Sequence, residues 1–400
     1  MSFTTYAAST DRLPSPYRDE ADVLSHDLTT LADLDWAGVQ RLAAPWVDGV
    51  RRSPPPFWAM ESLLKEYPIS SPDGLALMRL AEALLRVPDV ETAMALAADQ
   101  LGRGDFAQTV AHAGQGSDAD GDTHDVGEPH VLQRRAMAKL SDTALHLSKK
   151  MLPDVDGESS LITRLGARTV VGATVRALQL LGRQFVLGQS IDEAIKRGNA
   201  DKVHAMKAGG LTQVCMSYDM LGEGARTEED AQHYLASYQH AIAAMAKQAK
   251  PGVPVQANDG ISIKLSALHP RYEDVNTGRV MAELLPRVWR LCEQAAAANV
   301  SLTMDAEEVD RLEVSLRVFD AVVARIATDL PDWSGFGLAM QAYQTRASAV
   351  VTHVIAVARQ HNVKLMCRLV KGAYWDTEIK RAQEMGLPCY PVFTHKHHTD

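Results

Sequence analysis

From about residue 210 the chain alternates between two hydrophobic periods, and this constrains its fold more than any other feature. Short apolar runs appear at QVCMSY (213–218), ISIKLS (261–266), SLTMD (301–305), FGLAMQ (336–341), KLMCRLV (364–370) and YPVF (390–393). Helical patterns separate them, at about 228–249, 279–298, 307–328, 344–361 and 376–385. In 307–328, Val309, Leu312, Leu316, Phe319, Val323 and Ile326 recur at steps of three and four, one buried helical stripe. Strands that alternate with helices predict a parallel sheet covered by helices. Six strands fit an open doubly wound sheet or a barrel short of its last units.

The first half reads differently. Residues 1–20 are rich in Ser, Thr, Pro and Tyr and predict a mobile arm. From 21 to about 207 every periodic segment is helical. SSPDGLALMRLAEALLRVPD reads as one helix, with Arg79, Glu82 and Arg86 expected on a single polar stripe. A long helix is expected over 160–187, and a shorter one after Ser190. Between them, residues 113–130 form an acidic Gly/Asp-rich stretch, expected to be a flexible loop. Asp118, Asp120 and Asp122 alternate as in a calcium loop. Thr123 stands where that loop needs glycine, and Pro129 where it needs glutamate.

Composition excludes some classes. A net charge of -9 with no basic block argues against a general nucleic-acid binder. The four cysteines, at 215, 292, 367 and 389, have no CxxC spacing, which points to free thiols in a reducing compartment. There is no signal-peptide pattern and no run long enough to span a bilayer, so a soluble cytoplasmic protein is expected, with peripheral membrane contact open.

The strand ends carry the chemistry. Asp219, Lys264, Asp305, Gln341, Arg368, Lys371 and Thr394 stand in or just after successive strands. In a parallel array these ends share one face, and that face builds the active site. Charge on a strand is costly unless it is paired or used. Gly222-x-Gly224 opens a helix, but Thr227 replaces the third glycine of a dinucleotide fingerprint, leaving a plain strand-to-helix connection. His395, His397 and His398 lack the companions of a metal site; Thr394, His395 and Lys396 suit an anion such as phosphate better. Lys264 is compatible with a Schiff base, and a cationic strand end with a phosphate or a flavin.

ISIKLSALHPRY (261–272), MDAEEVDRL (304–312), GLAMQAYQTR (337–346), RLVKGAYWDTEIKRAQ (368–383) and YPVFTHKHHTD (390–400) resemble the successive motifs of the proline dehydrogenase family. The likeness is narrower to that domain in bacterial bifunctional proline-catabolic enzymes, and extends back to about residue 55 through SSPDGLALMRLAEALLRVPD and GRQFVLGQSIDEAI. The resemblance implies a distorted (β/α)8 TIM-type barrel over 208–400, incomplete at its C-terminal end, after an all-helical N-terminal region. It implies non-covalent FAD, oxidation of L-proline to 1-pyrroline-5-carboxylate by hydride transfer to flavin N5, and a membrane quinone as electron acceptor.

By the same resemblance the catalytic residues are Lys264, Asp305 and Arg368, with Arg368 beside flavin N5. Lys264, Asp219 and Tyr374 hold the substrate. Met220, Asp305, Ala306, Gln341, Arg368, Val370, Lys371, Gly372, Ala373, Tyr374, Trp375, Thr394, His395 and Lys396 hold the cofactor, and no metal is expected. His395 stands where many relatives have arginine. The remaining strands, and any NAD-dependent aldehyde dehydrogenase, are expected beyond residue 400. No ribbon-helix-helix segment is found, so no nucleic-acid partner is expected, whereas a homo-oligomer is. The alternatives are another flavin-dependent TIM barrel or a Schiff-base aldolase using Lys264.

Overall fold

The computed structural model describes residues 13–52, 186–220 and 222–400. The helices expected over 71–87 and 160–187, and the acidic loop 113–130, lie outside the described residues, as does most of the predicted arm. The chain divides into two compact units. One comprises Met1–Asp35 and Gln189–Asp400, the other Trp36–Gly188. In the second, the described element is the helix α2 (Trp36–Arg52).

The first unit is built on five parallel strands, β1 (Ser217–Asp219), β2 (Gly260–Ile263), β3 (Ser301–Met304), β4 (Phe336–Gln341) and β5 (Met366–Val370). Each pairs with the strand before it, in the order β1-β2-β3-β4-β5. Helices α4 (Glu228–Ala246), α6 (Thr277–Ala297), α7 (Leu312–Asp329) and α8 (Ala347–His361) make the crossovers. Helices α1 (Glu20–Thr30) and α3 (Ile191–Gly209) precede the sheet, a four-residue α5 (Leu265–Leu268) follows β2, and α9 (Trp375–Glu384) and α10 (Lys396–Thr399) follow β5. This is an α/β half-barrel with a helical N-terminal region.

Local chemistry sets the helix ends. Ser190 caps α3 by accepting the Glu193 N–H, as the sequence suggests. Thr227, in the place of the third glycine, is the N-cap of α4. Its hydroxyl accepts the Asp230 N–H, and Asp230 Oδ2 accepts the Thr227 N–H, a capping box. On α7 the buried face is wider than the expected stripe, because Val314, Val318 and Val322 are buried too.

Strand alternation separates two chemistries. Ile261, Ile263, Leu302, Met304, Phe336, Leu338 and Met340 point to the helix side, where Phe336 stacks on Phe319 of α7 at 5.6 Å between ring centroids. The other face carries Ser217, Gly260, Ser262, Ser301, Thr303, Gly337 and Ala339, with Asp219, Lys264, Asp305, Gln341 and Arg368 near its C-terminal rim. Small residues there let the sheet curl. In a flat sheet β2 and β5 stand roughly 14 Å apart, three strand spacings. Yet Arg368 Nη2 on β5 donates to Ser262 Oγ on β2 at 2.9 Å.

Two strand assignments differ from expectation. Residues 213–216 precede β1 rather than belong to it: Gln213 Nε2 donates to the Ala257 carbonyl, and the Met216 N–H to Asp259 Oδ1. The sixth run, 390–393, is not a strand. Pro391 has no N–H to give a ladder. The segment instead meets the loop after β4, where Thr345 N–H donates to the Pro391 carbonyl, Phe393 N–H to the Tyr343 carbonyl, and Gln344 and Val392 form an isolated antiparallel bridge.

Candidate active site

Asp305, just past β3, holds two cations. Its Oδ2 lies 3.3 Å from Lys264 Nζ, and its Oδ1 accepts from Arg368 Nη2. Lys264 also meets Asp219 at 3.4 Å. The side chains of Asp305 and Lys264 are largely buried, at 12% and 17% exposure, whereas Asp219 is half exposed. Four of the strand-end residues singled out in the sequence therefore form one cluster of two cations and two anions.

The electrostatics follow from burial and pairing. Burial pushes the Lys264 pKa down, but Asp219 and Asp305 outweigh it, so the ammonium is held more firmly than in an ordinary lysine. Burial pushes Asp305 up, opposed by Lys264 and Arg368 and reinforced by Asp219. Arg368 keeps one buried donor, Nε, with no hydrogen-bond partner among the described residues. Behind the cluster, the buried Tyr238 hydroxyl accepts the Lys264 backbone N–H at 3.1 Å, fixing the strand end from the helix side.

Residues 370–375 wrap the end of β4. The carbonyls of Val370 and Lys371 accept the N–H groups of Ala342 and Tyr343. Gly372 has φ +137°, and a Cβ there would lie 2.5 Å from the Tyr343 ring. Glycine is thus required by the turn itself and by Tyr343. Ala373 N–H donates to Gln341 Oε1 at 3.3 Å, and Gln341 Nε2 donates to the Glu307 carbonyl at 2.9 Å. Tyr374 reaches Glu223 with its hydroxyl at 3.3 Å. Trp375 Nε1 donates to the Phe393 carbonyl at 2.8 Å. Lys371 is exposed and pairs with Asp400. Met220 and Ala306 directly follow Asp219 and Asp305 at the same strand ends.

The third group stands apart from the charged cluster. Thr394 gives both its N–H and its hydroxyl to the carboxylate of Glu20, at 3.1 and 2.7 Å, and His398 Nδ1 lies 2.6 Å from Glu20 Oε1. An anion does sit on Thr394, but it is a side chain of α1. Burial pushes Glu20 up, and the bonds from His398 and Thr394 more than reverse it, so its pKa is lowered. His395 is the N-cap residue of α10, Lys396 opens that helix, and the rings of His395, His397 and His398 lie against one another.

Sequence reasoning missed Ser262, Tyr238, Tyr343, Glu307 and Glu20. Ser262 was within reach, because it shares the face of Lys264 by strand alternation. Tyr238, Tyr343 and Glu307 looked like helix and loop residues, and nothing local links Glu20 to Thr394.

A curled parallel sheet with a paired charge cluster at its strand C-termini defines an α/β-barrel protein with its site on the usual catalytic face. The proline dehydrogenase family model matches residues 202–400, and that part of the chain belongs to this family. The bifunctional protein PutA of Klebsiella aerogenes is 41% identical over 341 residues, which is 85% of this chain and 24% of that protein. PutA of Escherichia coli K12 is 38% identical over 390 residues, 97% of this chain and 26% of that protein. A crystal structure of Bradyrhizobium japonicum proline utilization A, a variant form, superposes with a TM-score of 0.63 at 40% identity, covering 97% of this chain and 36% of that one. The chain thus spans about a quarter of the length of these curated relatives.

One expectation is overturned. A second model, the DNA-binding domain of proline dehydrogenase, matches residues 59–117. The expected absence of a nucleic-acid partner, drawn from net charge and from the lack of a ribbon-helix-helix segment, does not hold against that match. Net charge over a whole chain says little about one short segment within it. Among the described residues no helix is long and apolar enough to cross a membrane, and no cluster of His, Cys, Asp and Glu could hold a metal ion.

Proposed function

We propose that this chain oxidises L-proline to 1-pyrroline-5-carboxylate, with non-covalent FAD as the immediate acceptor and a membrane quinone as the final one. The observation that carries the reading is the Lys264–Asp305–Arg368 cluster on the strand-end face of a proline dehydrogenase family domain. The residues fit a flavin: the site presents a cation with a spare buried donor, Arg368 Nε, beside a glycine turn and two aromatic side chains. FAD supplies a hydride acceptor at N5.

The protein's own groups then have distinct tasks. Lys264, held as an ammonium, suits the carboxylate of proline. Asp219, half exposed and paired with the same lysine, would face the ring amine. Arg368 presents positive charge where an electron-rich reduced ring needs it. Asp305 keeps the two cations oriented and close. Gln341, with one amide hydrogen and one lone pair committed to the protein, has one of each left for a cofactor edge. Val370 to Trp375 form the turn around the cofactor, and His395 and Lys396 serve its phosphate end, which Thr394 joins only when Glu20 releases its two donors.

The aldolase alternative needs a lysine that loses its proton near neutral pH. Lys264 is pushed the other way by its two carboxylates. The test is proline-dependent bleaching of bound flavin in the full-length protein. A yellow protein that bleaches anaerobically with proline supports the reading; protein that takes up no FAD, or bleaches with no preference for proline, defeats it. Borohydride trapping of a carbonyl compound on Lys264 would instead support the aldolase.

A further inference from the structure

One buried carboxylate takes no part in the charge cluster. Glu307 follows Asp305 by two residues, and its side chain is 3% exposed. Its Oε1 accepts the Ser266 N–H at 3.0 Å, and its Oε2 meets Arg311 Nη1 at 3.0 Å. Its backbone carbonyl accepts Gln341 Nε2 at 2.9 Å. These bonds continue in both directions. Ser266 accepts the Gly224 N–H on its hydroxyl at 3.1 Å and the Ala225 N–H on its carbonyl at 2.9 Å. Gln341 Oε1 accepts the Ala373 N–H at 3.3 Å.

The result is one hydrogen-bonded line, Ala225–Ser266–Glu307–Gln341–Ala373. It joins the segments following β1, β2, β3 and β5 through the last residue of β4. Ladder bonds fix strands, and they stop where the strands stop. Beyond that point this line couples the loops, alongside the bonds that Tyr343 makes to Lys371 and Tyr374. Glu307 is the middle member of the line, bonding Ser266 through its side chain and Gln341 through its backbone carbonyl, and the buried carboxylate is tolerated because both its oxygens are bonded. Toward β2 the line reaches Ser266, two residues past Lys264. Toward β5 it reaches Ala373, between Gly372 and Tyr374.

We propose that Glu307 is a positioning residue for the strand-end site: it fixes where the Lys264 end of β2 stands relative to the 372–374 turn. Its consequence for flavin binding rests on the function proposed above; the coupling between the loops does not. The competing role is purely local, with Glu307 anchoring the first turn of α7 through Arg311.

Hydrogen–deuterium exchange on the full-length protein separates the two, using Glu307→Ala, Glu307→Gln and Arg311→Met. Glutamine still accepts from Ser266, and alanine does not. Glu307→Ala keeps the carbonyl that Gln341 uses but cuts it loose from Ser266, so it should speed exchange in 223–226 by about tenfold or more, the ratio that about 1.4 kcal/mol of local opening produces, and in 371–375 by a smaller factor. Glu307→Gln and Arg311→Met should leave both segments near wild type. If Glu307→Ala does not fold, Glu307→Met fills the volume without an equivalent acceptor, and the same outcomes apply. FAD titration of the same proteins should show about tenfold weaker binding for the alanine variant, with glutamine restoring it. Unchanged exchange at 371–375 in the alanine variant, or an equal effect from Arg311→Met, overturns the positioning role. A wild-type protein that binds no flavin defeats the proposed function and leaves the exchange result to decide the role of Glu307.

Discussion

Lys264 and Asp305 stand at the ends of neighbouring parallel strands, and their charged groups meet at 3.3 Å on the inner face of the sheet. Arg368, two strands beyond Asp305, bonds the other oxygen of the same carboxylate. Removing that carboxylate would leave two cations facing each other with only the half-exposed Asp219 between them and solvent. Asp305→Asn should therefore lower kcat/KM for proline by about tenfold or more, since a hydrogen bond to a charged group contributes about 1.5–3 kcal/mol. Steady-state rates with an artificial acceptor measure it; wild-type kinetics in the variant would remove Asp305 from the site.

Arg368→Met replaces the cation with an apolar side chain of similar reach. In the proposed flavin site the reduced ring would lose more stabilisation than the oxidised one, so the midpoint potential should become more negative. The same energy range for one charged bond corresponds to roughly 30–60 mV in a two-electron couple. Spectroelectrochemical titration reads the shift, and an unmoved potential refutes the placement of Arg368 beside the reactive ring.

Gly372→Ala tests the turn. At φ +137° any side chain is strained, and this one would also strike the Tyr343 ring. The cost should be about 1–3 kcal/mol, seen as a lower urea midpoint. Unchanged stability would mean that Tyr343 and the turn relax freely.

His353 of α8 bonds Asp320 of α7 at 2.9 Å. That bond raises the His353 pKa above its ordinary 6.5, against the opposing effect of burial. The folded state thus binds the proton more tightly than the unfolded chain. The stabilisation is fully present below pH 6.5 and is lost as pH rises through the raised pKa. Denaturation midpoints compared at pH 6 and at higher pH should fall more for wild type than for Asp320→Asn. Parallel losses in the two proteins would exclude the pair as the source.

The inner face was legible because strands alternate. Asp219, Lys264, Asp305, Gln341 and Arg368 all fall on the phase that carries Ser, Gly, Thr and Ala, and the structure brings four of the five into direct contact or one bond away. The helices that cross between strands were legible too, since α4, α6, α7 and α8 each keep a periodic apolar face. What escaped was non-local. Glu20 and Thr394 are 374 positions apart, and no pattern in either segment advertises the other. The run 390–393 has strand composition, but its partner is a loop, which periodicity does not describe. Glu307 sits within a motif already singled out, yet its role depends on Ser266 and Gln341 from two other strand ends.

The sequential strand order has a consequence for how the sheet is made. Among the described residues each strand after β1 pairs with the one synthesised just before it, so each of these pairings closes one βα unit. A nascent chain can add these five units to the sheet in the order in which they leave the ribosome. The cost falls at the growing edge. Each new strand exposes an unpaired ladder until its successor arrives.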